Sequence, residues 1–372
     1  MLQVTQPRSV RLAAAARTLA LSDITAKAAS LPDFAGHEQI WLGRDEVRGL
    51  TAIVAIHSTT LGPALGGTRV WPHASFEAAL TDALRLSHGM TMKAAIAGVP
   101  FGGGKAVIVA DPKTQKTPAL LDAYAEMLTA LAGQYITAED VGLTLADADY
   151  LGARAPNVTG TSSGGSGNPS PVTAQGVFLG LKAALEHRNG SDRLDGVTVA
   201  VQGLGSVGQA LCEKLAAEGA RLVVGDLDAA RVADAQASLG AAVVAPDAVI
   251  AAEADIFAPC ALGGVLSQET LPRLRARIVA GAANNQLATP DIAQALATRG
   301  VLYAPDYVIN SGGLINVAAE CAPGGYDRDR AMEAVRGIPR TLSVIFERAA
   351  REGRTTEAVA ETMALERLGQ GR

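Results

Sequence analysis

The sequence predicts an α/β protein of two domains, an N-terminal α/β domain followed by a doubly wound parallel sheet. Three observations carry that prediction. A chain of 372 residues, 48% hydrophobic and 19% charged, has ample material for folded cores and exceeds the size at which one core usually keeps growing. The stretch Thr161-Ser162-Ser163-Gly164-Gly165-Ser166-Gly167-Asn168-Pro169-Ser170-Pro171 is the sharpest composition break, polar and rich in turn formers, as a boundary or hinge requires. Beyond it, short apolar β-branched runs alternate with helix-length segments, the pattern of a parallel sheet wound by helices.

The elements follow in order. Arg8, Arg11 and Arg17 precede any acidic residue, but Arg17 interrupts the only apolar core there, Leu12 to Leu21, so a secretory signal is disfavoured and an extra N-terminal helix is expected. Leu50 to Ile56 and Ala106 to Ala110 read as strands. Between them Ser75 to Ser87 carries Phe76, Ala79, Leu80, Ala83 and Leu84 at helical spacing. Gly102-Gly103-Gly104-Lys105 reads as a glycine-rich loop holding a lysine, with Lys93 twelve positions earlier in Gly89-Met90-Thr91-Met92-Lys93. Two lysines on one glycine-lined surface suit an anion and amine chemistry, because a crowded, desolvated ammonium loses its proton readily. A phosphate-binding P-loop is excluded, since Val99 and Ala106 replace its first glycine and its hydroxyl.

In the second half, Val197 to Val201 is a strand, a helix opens near Ser206, and Arg221 to Asp226 is the next strand; apolar runs follow at 254–257, 278–280 and 301–304. Gly203-Leu204-Gly205-Ser206-Val207-Gly208 is G-x-G-x-x-G between strand and helix, with Asp226 near the expected ribose offset, which identifies a Rossmann dinucleotide site. Gly203 allows the tight turn, Gly205 the approach of a pyrophosphate, and Gly208 close helix packing. Asp226 would accept from ribose hydroxyls and repel a 2′-phosphate, so NAD is expected over NADP.

Net charge −5 without Lys/Arg blocks gives no footprint for nucleic acid or an anionic membrane. No apolar stretch is long enough to span a bilayer. Cys212, Cys260 and Cys321 show no pairing framework and the histidines no metal-ligand spacing, so buried thiols, a reducing cytoplasmic setting and no metal are expected.

Leu61 to Arg69, Gly89 to Lys105, Tyr135 to Gly142, Gly281 to Gln286 and Val308 to Val317 resemble the Glu/Leu/Phe/Val amino-acid dehydrogenases, most closely their leucine-specific branch, from about Leu31 onward. The resemblance implies an N-terminal substrate domain over 1–160, completed by a C-terminal helix at about 345–372, facing an NAD domain over 161–344 across a closing cleft. It also implies a homo-oligomer, an octamer or another dimer-based assembly. It implies reversible NAD-dependent oxidative deamination of an L-amino acid, with Lys105 activating the water and Asp140 exchanging protons with the nitrogen. Lys93, helped by Asn285 and backbone near Gly66, would hold the substrate carboxylate. Thr173, Asn284 and Asn310 would join the cofactor site. Leu65, Met90, Ala138, Leu314 and Val317 would line the side-chain pocket.

Glutamate-specific members place a lysine and a hydroxyl where Leu65 and Val317 stand here, so a γ-carboxylate would be buried unpaired. A branched-chain aliphatic substrate (Leu, Val or Ile) is therefore expected. Leu314 stands where the family often has valine, Leu143 where it has threonine and Gln175 where it has tyrosine; Leu314 would narrow the pocket toward valine. The alternatives are a phenylalanine or broad-specificity dehydrogenase and a non-catalytic NAD-binding relative.

Overall fold

The computed structural model of the chain describes residues 18–369. The arginines before Thr18 lie outside them, but part of the segment expected to be helical is a strand. β1 (Ala20–Asp23) pairs antiparallel with β2 (Gln39–Asp45), and the helix near it, α1 (Thr25–Ala28), is a single turn. Edge pairing satisfies a strand's backbone groups, which an alanine-rich composition does not foretell.

The N-terminal sheet continues with β3 (Leu50–Ser58), β4 (Ala64–Leu65) and β5 (Thr68–Trp71). Then come α2 (Phe76–Ala97), β6 (Gly102–Val109), α3 (Pro118–Ala130), β7 (Tyr135–Ile136) and α4 (Leu145–Gly152). The spatial order is β1-β2-β3-β6-β4-β7, with β5 also on β6. β3 meets β6 antiparallel, whereas β4 and β5 run parallel to it.

Two expectations change here. The helix continues past Ser87 through Gly89 to Ala97, capped by the Ser75 hydroxyl accepting from Ala78 N at 3.1 Å and closed by Gly98 at φ 77°. Lys93 therefore rides on a helix. The glycine run is the start of β6 rather than a loop, because its glycines serve close approach. A Cβ at Gly103 would fall 2.1 Å from Thr91 N of α2, and one at Gly102 would fall 1.9 Å from Ser58 O.

After an irregular segment the second half begins with α5 (Ser170–Asn189), β8 (Thr198–Gln202), α6 (Ser206–Ala217), β9 (Arg221–Gly225) and α7 (Ala229–Leu239). β10 (Ala242–Val243), β11 (Ile256–Pro259), β12 (Ile278–Val279), α8 (Asp291–Thr298) and β13 (Leu302–Tyr303) complete the sheet. All its pairs are parallel, in the order β10-β9-β8-β11-β12-β13. The order reverses beside β8, which opens a ligand crevice at the strand C-termini.

The chain ends in α9 (Asp306–Ile309), α10 (Gly312–Ala318), α11 (Arg328–Val335), α12 (Ile338–Glu352) and α13 (Thr356–Arg367). Residues 345–352 belong to α12, whose Ile338, Leu342, Ile345 and Phe346 are buried in the core against α5. α13 packs along α2, which α9 and α12 also touch, and buries Val359, Ala360 and Ala364 in the core that holds Met92, Ala95 and Ile96. No helix among the described residues is long and apolar enough to cross a membrane.

Candidate functional site

Three strand ends and α2 bring the polar residues together. Lys105, on β6, is buried at 6% exposure, and its Nζ lies 2.5 Å from Asp140 Oδ2. Arg69 on β5 places Nε 3.5 Å from the same oxygen while Nη1 pairs with Asp82 at 3.0 Å. Burial pushes the Asp140 carboxyl up, but the charges of Lys105 and Arg69 and the Val141 N–H outweigh it, leaving Asp140 below the usual range and ionised.

Lys93 projects from α2 into the same charge field. Burial lowers its pKa to about 8 with help from Lys105, while Asp306 and Asp140 oppose the shift. Among the described residues it has neither a hydrogen bond nor an ion pair. Gly66 does not offer its N–H to a ligand: that group donates to Ile136 O at 3.1 Å, and its carbonyl accepts from Tyr135 OH at 2.5 Å. What Gly66 supplies is closeness, since a Cβ there would sit 1.9 Å from Gly104 O.

Beside these groups lies a small apolar cluster of its own. Leu65, Ala138, Leu314 and Val317 are buried in it, and Met90 packs against it. The structure adds Ala94, Phe101 and Ala318, which no motif had singled out. The cluster joins β4 and α2 to α10, so it spans both halves of the chain.

The expected cofactor groups gather at the crevice. Gly203 has φ 98° and would clash with Ala261 if it carried a Cβ; a Cβ at Gly208 would lie 2.0 Å from Gly203 O. At Gly205, the N-terminal cap of α6, the nearest atom to a Cβ is Arg231 Nη1 at 3.8 Å, and no side chain caps the first turn formed by Ser206 and Val207. The approach is open to an anion, which the helix N-terminus favours. Asp226 accepts from Leu204 N at 2.5 Å and Asp228 N at 2.8 Å. Burial pushes its carboxyl up, but these N–H groups and Arg231 hold it below the usual range. Leu227 and Leu262, exposed at 93% and 84%, follow β9 and β11.

At the crevice's other end Asn310 Nδ2 donates to Asn284 Oδ1 at 2.8 Å and Ala282 O at 3.0 Å, while its buried Oδ1 has no partner. Thr173 Oγ1 donates to Pro169 O at 3.1 Å. Asn285 is exposed, with φ 51°, and its carbonyl accepts from Gly264 N at 2.7 Å. The glycine cradle, the uncapped helix and the orphaned Asn310 oxygen fit a dinucleotide.

The family description "Glu/Leu/Phe/Val dehydrogenase, dimerisation domain" matches residues 37–155, and "Glutamate/Leucine/Phenylalanine/Valine dehydrogenase" matches 164–230 and 227–326. Leucine dehydrogenase of Geobacillus stearothermophilus is 49% identical over 334 residues, 89% of this chain and 90% of the relative. Valine dehydrogenase of Streptomyces albus is 46% identical over 345 residues, 91% of this chain and 94% of the relative. The crystal structure of L-tryptophan dehydrogenase from Nostoc punctiforme superimposes with a TM-score of 0.78 at 47% identity, covering 90% of this chain and 96% of that one.

Proposed function

The chain belongs to the Glu/Leu/Phe/Val dehydrogenase family and is an amino-acid dehydrogenase, and from that premise we propose that it oxidatively deaminates branched-chain aliphatic L-amino acids with NAD. One amino acid, one water and one NAD give the 2-oxo acid, ammonium, NADH and a proton, and the reaction is reversible. The observation that carries the reading is Lys93, unpartnered among the described residues, which feels the charges of the Lys105–Asp140 pair and sits on the helix that gives Met90 and Ala94 to the apolar cluster. An amino acid presents a carboxylate, an amine and a side chain to those three features.

Lys93 holds the α-carboxylate, with Asn285 approaching from the nucleotide side. Asp140 exchanges a proton with the substrate nitrogen, for which its ionised state is ready. Lys105 activates the water that attacks the reacting carbon, as a positioned acid–base group does. Bound NAD supplies the hydride acceptor. Gly203 to Gly208 and the start of α6 would hold its pyrophosphate, Asp226 its ribose, and Asn310, Asn284 and Thr173 the nicotinamide end. Asp226 disfavours a 2′-phosphate by like charge.

Leu65, Ala138, Leu314 and Val317 offer no partner to a γ-carboxylate, whose unpaired burial would cost several kcal/mol, about enough to exclude glutamate. Leu314 narrows the pocket toward valine. We place the domain boundary near residue 160, with closure across the cleft excluding water. The protein would work as a cytoplasmic homo-oligomer, in keeping with the dimerisation-domain match.

The test is NADH formation at alkaline pH with L-Leu, L-Ile, L-Val, L-Phe and L-Glu, repeated with NADP. Turnover of the branched aliphatics with NAD is expected. Preference for L-Glu or L-Phe would refute the substrate assignment, and equal use of NADP would refute the role of Asp226.

A further inference from the structure

We infer that Phe101 is a specificity-determining residue, whose ring occupies the space an aromatic substrate side chain would need. This rests on the amino-acid dehydrogenase reading above and specifies the size limit of the same pocket.

Among the described residues Phe101 is the one aromatic side chain of the buried cluster that holds Leu65, Ala138, Leu314 and Val317, and it is 6% exposed. It directly precedes β6, and strand alternation puts Phe101, Gly103 and Lys105 on one face. That face looks at α2, because a Cβ on Gly103 would strike Thr91. α2 also carries Met90, Lys93 and Ala94. The ring thus shares a wall with the lysine proposed to activate water and faces the helix whose lysine would hold the carboxylate.

Its backbone is fixed. Gly62, at φ 141°, lies so close to Pro100 and Phe101 that a Cβ would be 2.3 Å from Pro100 O and 3.5 Å from Phe101 Cα. Gly102 N, the next residue's donor, reaches Gly62 O at 3.1 Å and Pro63 O at 3.0 Å. Phe101 therefore cannot retreat by a shift of its own strand, and a larger substrate must displace the ring or stay out. Overall likeness leaves this choice open, since relatives named for leucine and for valine are 49% and 46% identical to the chain, and the structure named for tryptophan is 47% identical. A particular side chain has to make the distinction.

The experiment measures kcat/KM with NAD for L-Val, L-Leu, L-Phe and L-Trp on the full chain and on Phe101→Leu and Phe101→Ala. The wild type should prefer the aliphatic pair. Phe101→Ala should raise the L-Phe to L-Val ratio by about tenfold or more, the scale on which apolar pockets discriminate, and Phe101→Leu should raise it less. Thermal unfolding and NADH binding serve as controls; if the alanine variant does not fold, the volume-conserving leucine variant decides the matter. An active wild type whose ratio stays within about twofold in both variants, with activity lost uniformly, would overturn the inference and leave the reaction standing. A fall in the ratio, showing that the ring stacks on aromatic substrates, would overturn it as well. A wild type silent on all four amino acids would overturn the substrate reading and this inference together.

Discussion

Lys105 Nζ and Asp140 Oδ2 lie 2.5 Å apart, and Arg69 Nε approaches the same oxygen at 3.5 Å. One carboxylate is thus shared by two cations, which keeps it ionised despite its burial. Lys105→Ala and Asp140→Asn should each lower kcat by roughly 10²–10⁴, the range for a positioned acid or base, while NADH still binds. The double variant should lose little more than either single one, as expected of groups acting as a unit. Stopped-flow hydride transfer and NADH fluorescence check both; a Lys105 variant within tenfold of wild type would remove it from the chemistry.

Lys93 gives the pH prediction. Its pKa is lowered to about 8, chiefly by burial, and only its protonated form pairs with a carboxylate. Competitive inhibition by a simple aliphatic acid reads this charge without the substrate's own amine. Ki should stay flat below pH 7 and rise about tenfold per pH unit above 8. In Lys93→Met the rise should vanish along with most of the affinity. A flat wild-type profile from pH 7 to 10 would exclude Lys93 as the carboxylate partner.

Glu320 fastens the segment between the two halves. Its carboxylate accepts from Gly160 N at 2.9 Å, Ser166 N at 2.8 Å and the Ser166 hydroxyl. Hydrogen bonds to a charged group each contribute about 1.5–3 kcal/mol. Glu320→Ala should therefore speed amide exchange at Gly160 and Ser166 by one to two decades, on the order of 2 kcal/mol of local opening. Unchanged exchange at both amides would show that the loop holds itself.

Glu357 carries a stability prediction. One of its oxygens is buried without a partner, and burial, then the charges of Asp306 and Glu361, push its pKa from 4.5 to about 8. Between those two values the folded chain retains a proton that the unfolded chain has released, so stability falls as pH rises through that window. Glu357→Gln cannot ionise. It should be more stable than wild type by on the order of a few kcal/mol at pH 8.5 and close to it at pH 4.5, as thermal unfolding would show. A gain that is the same at both pH values would contradict the buried acid.

Much of this molecule is legible in its residue order, and the exceptions share a cause. The parallel sheet and the Gly203 to Gly208 turn show through because strand period, helix period and glycine spacing are local signals. Leu65, Ala138, Leu314 and Val317 emerge from the motifs and do meet in one cluster. Phe101, Arg69, Glu320 and Glu357 act through partners far away in sequence, which local pattern does not encode. The glycines of β6 were misread for a related reason: a run of glycine suggests freedom, while here it records how closely α2 presses on the strand.

The position of α13 bears on how the chain is made. α2 buries one flank against α13, and the Arg367 guanidinium lies where a side chain on the α2 cap residue Gly98 would stand. Residues 98–355 separate these two helices. A ribosome working from the N-terminus exposes Met92, Ala95 and Ile96 long before Val359, Ala360 and Ala364 emerge to cover them. The first-made half thus stays incomplete until α13 has been made, and a nascent chain with such a surface exposed depends on chaperones. Premature termination anywhere before α13 leaves that flank bare, so truncated products should be sticky and short-lived even when both lysines are present.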